Sequence, residues 1–138
     1  MKKYISCSLI YAIAAMAGGV FYREFTKFKG FTGETALSRV HTHLFMLGMF
    51  MFLIVALFER NSDLSVRKSF RVFMYLYNIG LPLMVVMMIV RGVFQVLGTE
   101  LSPAADASIS GVAGIAHILV SVGIVFLLTG LRRQFSKR

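Results

Sequence analysis

The sequence is poor in cysteine, proline, tryptophan and acidic residues. Its single cysteine, Cys7, cannot form an internal disulfide and leaves no Cys-x-x-Cys metal or redox motif. Only 6 of the 138 residues are Asp or Glu, and they form no carboxylate pair suited to acid–base catalysis. A nucleophile triad and a glycine-rich phosphate loop are also absent from the sequence. The sequence therefore contains no complete catalytic constellation.

Long apolar runs make up most of the chain. Hydrophobic residues account for 57% of it and the mean hydropathy is +0.76, more apolar surface than a soluble domain of this length can bury. Four runs have the roughly 20 helical residues needed to cross a hydrocarbon core. They lie near 4–22, 39–58, 70–97 and 108–131. The predicted fold is all-α: a single transmembrane domain forming an integral membrane four-helix bundle.

The net charge of +9 is divided unequally between the two sides of such a bundle. The larger group of ten Lys and Arg residues comprises Lys2, Lys3, Arg60, Arg67, Lys68, Arg71, Arg132, Arg133, Lys137 and Arg138. The five on the other side are Arg23, Lys27, Lys29, Arg39 and Arg91. By the positive-inside rule both termini are cytoplasmic. The charge thus indicates orientation in a membrane rather than a nucleic-acid partner.

Several residues predict how the spans pack. A stripe of small residues in the first span, spaced by three and four, predicts close approach of a neighbouring helix. It comprises Ser8, Ala12, Ala15 and Gly19. In the third span Pro82 predicts a kink, Asn78 predicts a bond to another helix, and Tyr75 and Tyr77 predict an interfacial aromatic belt.

The three histidines are the most informative residues, because all lie in or at the end of predicted spans. An ionisable side chain at membrane depth is costly and usually marks a functional site. Neutral imidazole is also a ligand of metal ions and of haem iron. At about 1.5 Å per helical residue, His43 lies roughly 8 Å and His117 roughly 13 Å from the outer ends of their spans. We therefore expect both at similar depth.

Two arginines accompany these histidines. Arg39 lies one helical turn before His43, and Arg91 lies roughly 9 Å inside the third span. Guanidinium groups bind carboxylates through strong, often bidentate, hydrogen bonds. The combination suits haem b, with imidazoles as axial ligands and arginines at the propionates. The predicted cofactor-binding residues are His41, His43, His117, Arg39 and Arg91.

The spacing of His41 and His43 limits how they can act together. Residues two apart on a helix point about 200° apart, so these two side chains cannot easily bind one ion from the same helix. The pattern favours ligands to two haems, or to one site in the subunit and another across a subunit boundary. It disfavours a compact mononuclear zinc site.

Other interpretations of the same residues remain open. The three histidines together with the nine methionines would suit copper or another metal, as a binding or transport protein, although methionine is also routine packing material. Alternatively the chain is an accessory subunit without a cofactor, in which the histidines bond between helices. Single residues also have alternative interpretations: His41 as solvated at the interface, Arg39 as an interfacial anchor, and Arg91 as extending to the membrane surface.

The segments around the histidines resemble a known family. Val-His-Thr-His-Leu-Phe-Met-Leu-Gly, with His41 and His43, and Gly-Ile-Ala-His, with His117, are similar to small four-span bacterial membrane proteins of unknown function. The likeness extends over nearly the whole chain. It implies a multi-pass protein of the bacterial cytoplasmic (inner) membrane, and it implies no activity.

A more distant resemblance is to the haem-copper oxidase main subunit and to NnrS-type proteins. It implies that haem ligands lie largely on the second helix of each group of four helices. One such helix carries a His-x-His pair that serves two haems. It further implies a homo-oligomer, such as a trimer, in which His41 of one copy and His43 of the next share an iron. The sequence lacks the adjacent His-His pair for copper, so the resemblance implies electron transfer or gas binding, with an unknown redox partner, rather than oxygen reduction.

Overall fold

The chain folds into helices joined by short connections. The computed structural model describes residues 1–60 and 63–136, and no β-strand occurs within these ranges. The elements are α1 (Lys2–Phe28), α2 (Leu37–His43), a π-helical segment (Leu44–Phe50), α3 (Met51–Arg60), a 3₁₀ turn (Leu64–Val66), α4 (Lys68–Leu97) and α5 (Pro103–Phe135). Because α2, the π segment and α3 are continuous, they form a single unit, Leu37–Arg60, here called span two.

The four helical units are long and apolar enough to cross a membrane, as the sequence predicts. They nevertheless extend beyond most of the predicted bounds. The first continues to Phe28 instead of 22, and the last begins at Pro103 instead of 108. Hydropathy marks where apolar side chains end, whereas backbone hydrogen bonding continues into polar turns. Ser102 caps the last helix, since its hydroxyl accepts a 3.2 Å hydrogen bond from the Ala105 N–H.

Positive charge collects at one end of the bundle, here called the basic end. It comprises the first turns of α1 and α4 and the last turns of α3 and α5, which carry Lys2, Lys3, Arg60, Arg67, Lys68, Arg71, Arg132 and Arg133. Lys137 and Arg138, which were predicted on this side, lie outside the described residues. The loops 29–36 and 98–102 lie at the opposite end. The uneven charge matches the sequence, and orientation in a membrane remains a prediction.

Helix α5 lies at the edge of the bundle. It packs extensively against α4, whereas α1 packs against span two, and α2 packs against both α1 and α4. Gly80 makes the contact between α4 and α5 close, because a Cβ there would lie 2.9 Å from the Leu119 Cβ and 3.1 Å from the Ala116 carbonyl oxygen. The remaining face of α5 is left exposed, including Ile115, Ile118 and Val125.

The predicted stripe of small residues on α1 is an interface with span two. Ser8 and Ala15 are buried, and the backbone of Gly19 lies against His41. Gly48 in the π segment meets Tyr11 so closely that a Cβ would lie 2.5 Å from the ring atom Cγ. Close approach of the two helices therefore depends on small residues on both sides.

The π segment is supported from both neighbouring helices. The wide turn of a π-helix disturbs the regular α-helical ladder of hydrogen bonds. Two of its carbonyl oxygens accept bonds from side chains: Met49 from the Ser8 hydroxyl at 2.9 Å, and Leu47 from the Tyr77 hydroxyl at 2.8 Å. Ser8 belongs to α1 and Tyr77 to α4, so these bonds tie three spans together.

Tyr77 is not an interfacial residue, and this prediction is wrong. The side chain is fully buried, and its ring contacts Phe73 at 4.9 Å and Phe52 at 6.2 Å between centroids. Its hydroxyl finds a partner in the π segment, so it does not need water. Tyr75, two residues earlier and on the opposite side of the helix, is 73% exposed, and its place in an aromatic belt stays a prediction.

The hydrogen bonding of Asn78 on α4 also differs from expectation. The Asn78 side chain donates a 2.7 Å hydrogen bond to the Met74 carbonyl oxygen of its own helix, instead of bonding to another helix. Pro82 lies inside α4, which is helical from Lys68 to Leu97, and the kink at this residue stays a prediction. On an exposed helix surface, the carbonyl oxygen four residues earlier is the nearest acceptor for the side-chain amide.

We predict that the two hydrogen bonds to the π segment stabilise the fold. Tyr77→Phe and Ser8→Ala should each lower the free energy of unfolding by about 1 kcal/mol, because each leaves a carbonyl oxygen without its side-chain donor. Thermal unfolding in detergent, followed by circular dichroism, measures this loss. Tyr75→Phe is the matched control and should have no effect; equal effects of Tyr75→Phe and Tyr77→Phe would contradict the prediction.

Candidate functional site

His43 presents one ring nitrogen to its own helix and leaves the other available. It is the last residue of α2 and is half-buried. Its Nδ1 lies 2.8 Å from the carbonyl oxygen of Arg39, one turn earlier. A carbonyl oxygen only accepts, so Nδ1 carries the proton and donates. Nε2 then holds the lone pair, which is the tautomer that binds a metal through Nε2.

His117 has the same arrangement on a different helix. It lies near the middle of α5, and its Nδ1 is 2.7 Å from the Ala113 carbonyl oxygen. The residue is exposed, and its neighbours Ile115 and Ile118 are exposed as well. Its Nε2 is therefore left as an acceptor on an apolar helix surface. Such a surface offers the nitrogen no hydrogen-bond donor of its own.

His41 lies against α1. A Cβ added to Gly19 would lie 3.6 Å from the His41 Cβ. Its Nδ1 is buried and has no hydrogen-bond partner among the described residues. This nitrogen is enclosed by protein, so the interpretation of His41 as a solvated interfacial residue does not hold for Nδ1. A buried, unmatched polar nitrogen is costly, which sets this histidine apart from the other two.

The three histidines do not meet within one copy of the chain. Span two carries His41 and His43, α5 carries His117, and α4 packs against both of these units. No group of three His, Cys, Asp or Glu residues that could hold a metal ion occurs in ranges 1–60 and 63–136. Span two and α5 do not pack extensively against each other within these ranges.

The two arginines predicted from depth do come together. Arg39 and Arg91 line one cavity of about 380 Å³ at the end opposite the basic end. Its wall is formed by α1, the following loop, α2 and α4, with Tyr22, Glu34 and Gln95 among the lining residues. Arg39 is exposed and forms no ion pair within the described part of the chain. The cavity thus has two guanidinium groups and one carboxylate.

Arg91 has partners that the sequence interpretation missed. Its Nη2 donates to the Asp106 carboxylate at 3.0 Å and to the Ser110 hydroxyl at 2.7 Å. Asp106 lies in the first turn of α5, where a negative charge also favours the helix dipole. Because a charge at membrane depth needs a partner, a carboxylate near Arg91 could be expected from the sequence. Asp106 could not be identified as that partner from the sequence, because it is 15 positions from Arg91 and lies on another helix.

Two further polar residues fix the start of span two against α4. The Thr35 hydroxyl donates to the Gly92 carbonyl oxygen at 2.9 Å, and the Gln95 side chain accepts from the Ala36 N–H at 2.8 Å. A Cβ at Gly92 would lie 2.6 Å from the Leu37 backbone nitrogen. These contacts hold the cavity wall and thereby set the position of Arg39 relative to Arg91. No sequence motif signals them.

We predict a small, salt-sensitive coupling between Arg91 and Asp106. Their side chains are 33% and 53% exposed, so a double-mutant cycle with Arg91→Gln and Asp106→Asn should give about 0.5–1 kcal/mol. Chemical unfolding at low and high salt measures it, and salt should weaken it. Glu100→Gln is the control, because Glu100 forms no ion pair in the described residues. Equal coupling of Arg91 to Glu100 would refute the specific pair.

Comparison with known proteins identifies a family and no activity. No curated protein and no solved structure matches the chain. The resemblance to the haem-copper oxidase main subunit and to NnrS-type proteins finds no support in these comparisons and remains an expectation. Residues 1–134 of the 138 match the model of a family described as "Protein of unknown function (DUF2871)". The chain therefore belongs to the DUF2871 family.

Proposed function

We propose that this protein is a membrane-embedded b-type haem protein that holds its haem between copies of the chain. The observation that carries the proposal is the state of two imidazoles. His43 and His117 each donate Nδ1–H to a carbonyl four residues earlier, which leaves Nε2 with its lone pair. A backbone carbonyl that orients the ring in this way is the usual companion of a histidine ligand.

The position of His117 strengthens the case for a bound group. An imidazole on an exposed, apolar helix surface has an unmatched acceptor if lipid alone surrounds it. Ligation of iron, or contact with a second copy, removes this cost. The surface beside the ring is also open, because Gly111 and Gly114 have no heavy atom of another element within 4 Å of an added Cβ. A flat macrocycle fits against such a face.

The arginines fit the carboxylates of the same group. Arg39 and Arg91 line one cavity at the end of the bundle, and guanidinium groups bind propionates well. Arg39 is the freer of the two, because Arg91 is already bonded to Asp106 and Ser110. We assign Arg39 as the main propionate anchor and Arg91 as an auxiliary one.

The separation of the histidines favours a homo-oligomer. Helix α4 separates His117 from span two, and α5 has an exposed face at the edge of the bundle. A neighbouring copy that covers this face would pair an imidazole from its own span two with His117, or pair His41 with His43 across the boundary. The number of copies, a trimer in the predicted arrangement, follows from which of these pairs forms.

The chemistry that haem supplies is one-electron transfer when both axial positions are filled, or binding of a diatomic gas when one is open. The chain itself contributes imidazoles of fixed tautomer, cations for the propionates and an apolar surface that excludes water. The role that this chemistry supports is electron transfer or gas binding.

We predict that haem content depends on the histidines individually. His43→Ala and His117→Ala should each lower haem per protein by about tenfold or more, since each removes an axial ligand. The pyridine haemochrome spectrum of purified protein measures this, and His41→Ala shows whether that residue is a ligand as well. Met46→Ala, at an exposed position in the π segment, is the control. Wild-type haem in both His43 and His117 variants, or copper in place of iron, would overturn the proposal.

We also predict that the exposed face of α5 is needed for assembly. Gly114→Leu should leave a folded helical chain, because nothing lies within 4 Å of that position, yet it should abolish the oligomer and its haem. Light scattering after size-exclusion chromatography measures the assembly, and circular dichroism verifies the fold. Ser108→Leu is the control, on a face of α5 about 120° away. An intact haem-bound oligomer with Gly114→Leu would exclude this interface.

A further inference from the structure

A groove at the basic end has a polar mouth and an apolar floor. It lies between the first turns of α1 and α4 and has a volume of about 530 Å³. Lys3 and Arg71 belong to its lining, one from each helix. The buried rings of Tyr4 and Phe70 also line it, and they contact each other edge-on at 5.6 Å.

The mouth of the groove is suited to an anion. Its lining contains two cations and no Asp or Glu, and Ser65 from the 3₁₀ turn adds a hydroxyl. The ammonium group of Lys3 lies 4.9 Å from the centre of the Tyr4 ring, which keeps it beside the floor. The Glu59 carboxylate lies behind the mouth, where it accepts a 2.9 Å hydrogen bond from the Ser65 N–H, and it forms no ion pair with Lys3 or Arg71 in the described residues. An anion between Lys3 and Arg71 would be attracted by both cations.

The two helix starts increase the positive potential. Neither α1 nor α4 has a side-chain hydrogen bond at its N-cap or an acidic residue in its first turn. By contrast, α5 has both, in Ser102 and Asp106. Helix N-termini carry partial positive charge and favour anions. At the basic end, no acidic residue in the first turn of α1 or α4 neutralises this partial positive charge.

The wall of the groove continues away from the charge. On α4, Arg71, Tyr75 and Ile79 all line it, and a spacing of four residues places them on one face. This wall is about 12 Å long. Tyr75 and Ile79 are 73% and 59% exposed, so the groove is open on the side that an apolar chain would enter. A free phosphate would use the mouth alone and leave this length empty.

We infer that this groove binds an anionic phospholipid, with the phosphate between Lys3 and Arg71 and an acyl chain along Tyr75 and Ile79. Basic pockets between spans at the positively charged membrane face suit such headgroups. The inference is independent of haem binding. It concerns a different end of the bundle and none of the histidines.

The test compares lipids on the purified full chain in detergent. Dioleoylphosphatidylglycerol should raise the thermal unfolding midpoint by about 4 °C relative to dioleoylphosphatidylcholine, as measured by circular dichroism. Native mass spectrometry should show the bound anionic lipid. The double variant Lys3→Gln with Arg71→Gln should lower this binding by about tenfold or more. The matched control is Lys2→Gln with Lys68→Gln, which removes the same charge from exposed positions outside the groove.

Retention of binding in the control, together with its loss in the groove variant, would establish the site. Equal losses in both variants would show diffuse attraction to the basic end and overturn it. Inorganic phosphate or short-chain dihexanoylphosphatidylglycerol giving the full shift would show an anion site that does not use the groove. Equal shifts with the anionic and the zwitterionic lipid would also refute the inference.

Discussion

Polar atoms at lipid depth need a partner within the protein, and most features of this fold follow from how that demand is met. Ser8 and Tyr77 supply donors to the π segment, and in doing so they join α1, span two and α4. His43 and His117 direct Nδ1 to their own helices. The proposed function rests on Nε2 of these two rings, which keeps its lone pair. The buried Nδ1 of His41 also has no hydrogen-bond partner among the described residues.

The positions of the helices bear on the proposed assembly. Helix α5 packs against α4, and His117 on it is exposed. The cavity of Arg39 and Arg91 is lined by α1, the following loop, α2 and α4, and Arg91 also bonds to Asp106 and Ser110 of α5. In the proposed oligomer, a second copy would bring a further imidazole to the exposed face of α5.

The sequence predicted the apolar spans and the small-residue face of α1, because hydropathy and helical spacing report these directly. It placed Arg39 and Arg91 at similar depth, and the structure shows that both line one cavity. It misplaced the helix ends, because helical backbone hydrogen bonding continues beyond the apolar run into polar residues. It also misassigned Tyr77: composition does not distinguish a tyrosine at a membrane surface from one whose hydroxyl serves a neighbouring helix. The π segment has no sequence signature. Its carbonyl oxygens therefore could not be identified from the sequence as the acceptors of the Ser8 and Tyr77 hydroxyls. Asp106 escaped notice because its pairing with Arg91 crosses a loop.

The absorption spectrum of the wild-type protein, purified from haem-replete cells and recorded oxidised and reduced, tests the central claim most directly. Iron held by histidine nitrogens predicts an intense Soret band that shifts on reduction, with visible bands typical of haem b. A homogeneous, folded and colourless protein would contradict the account, and Nε2 of His43 and His117 would then be matched by a partner other than iron.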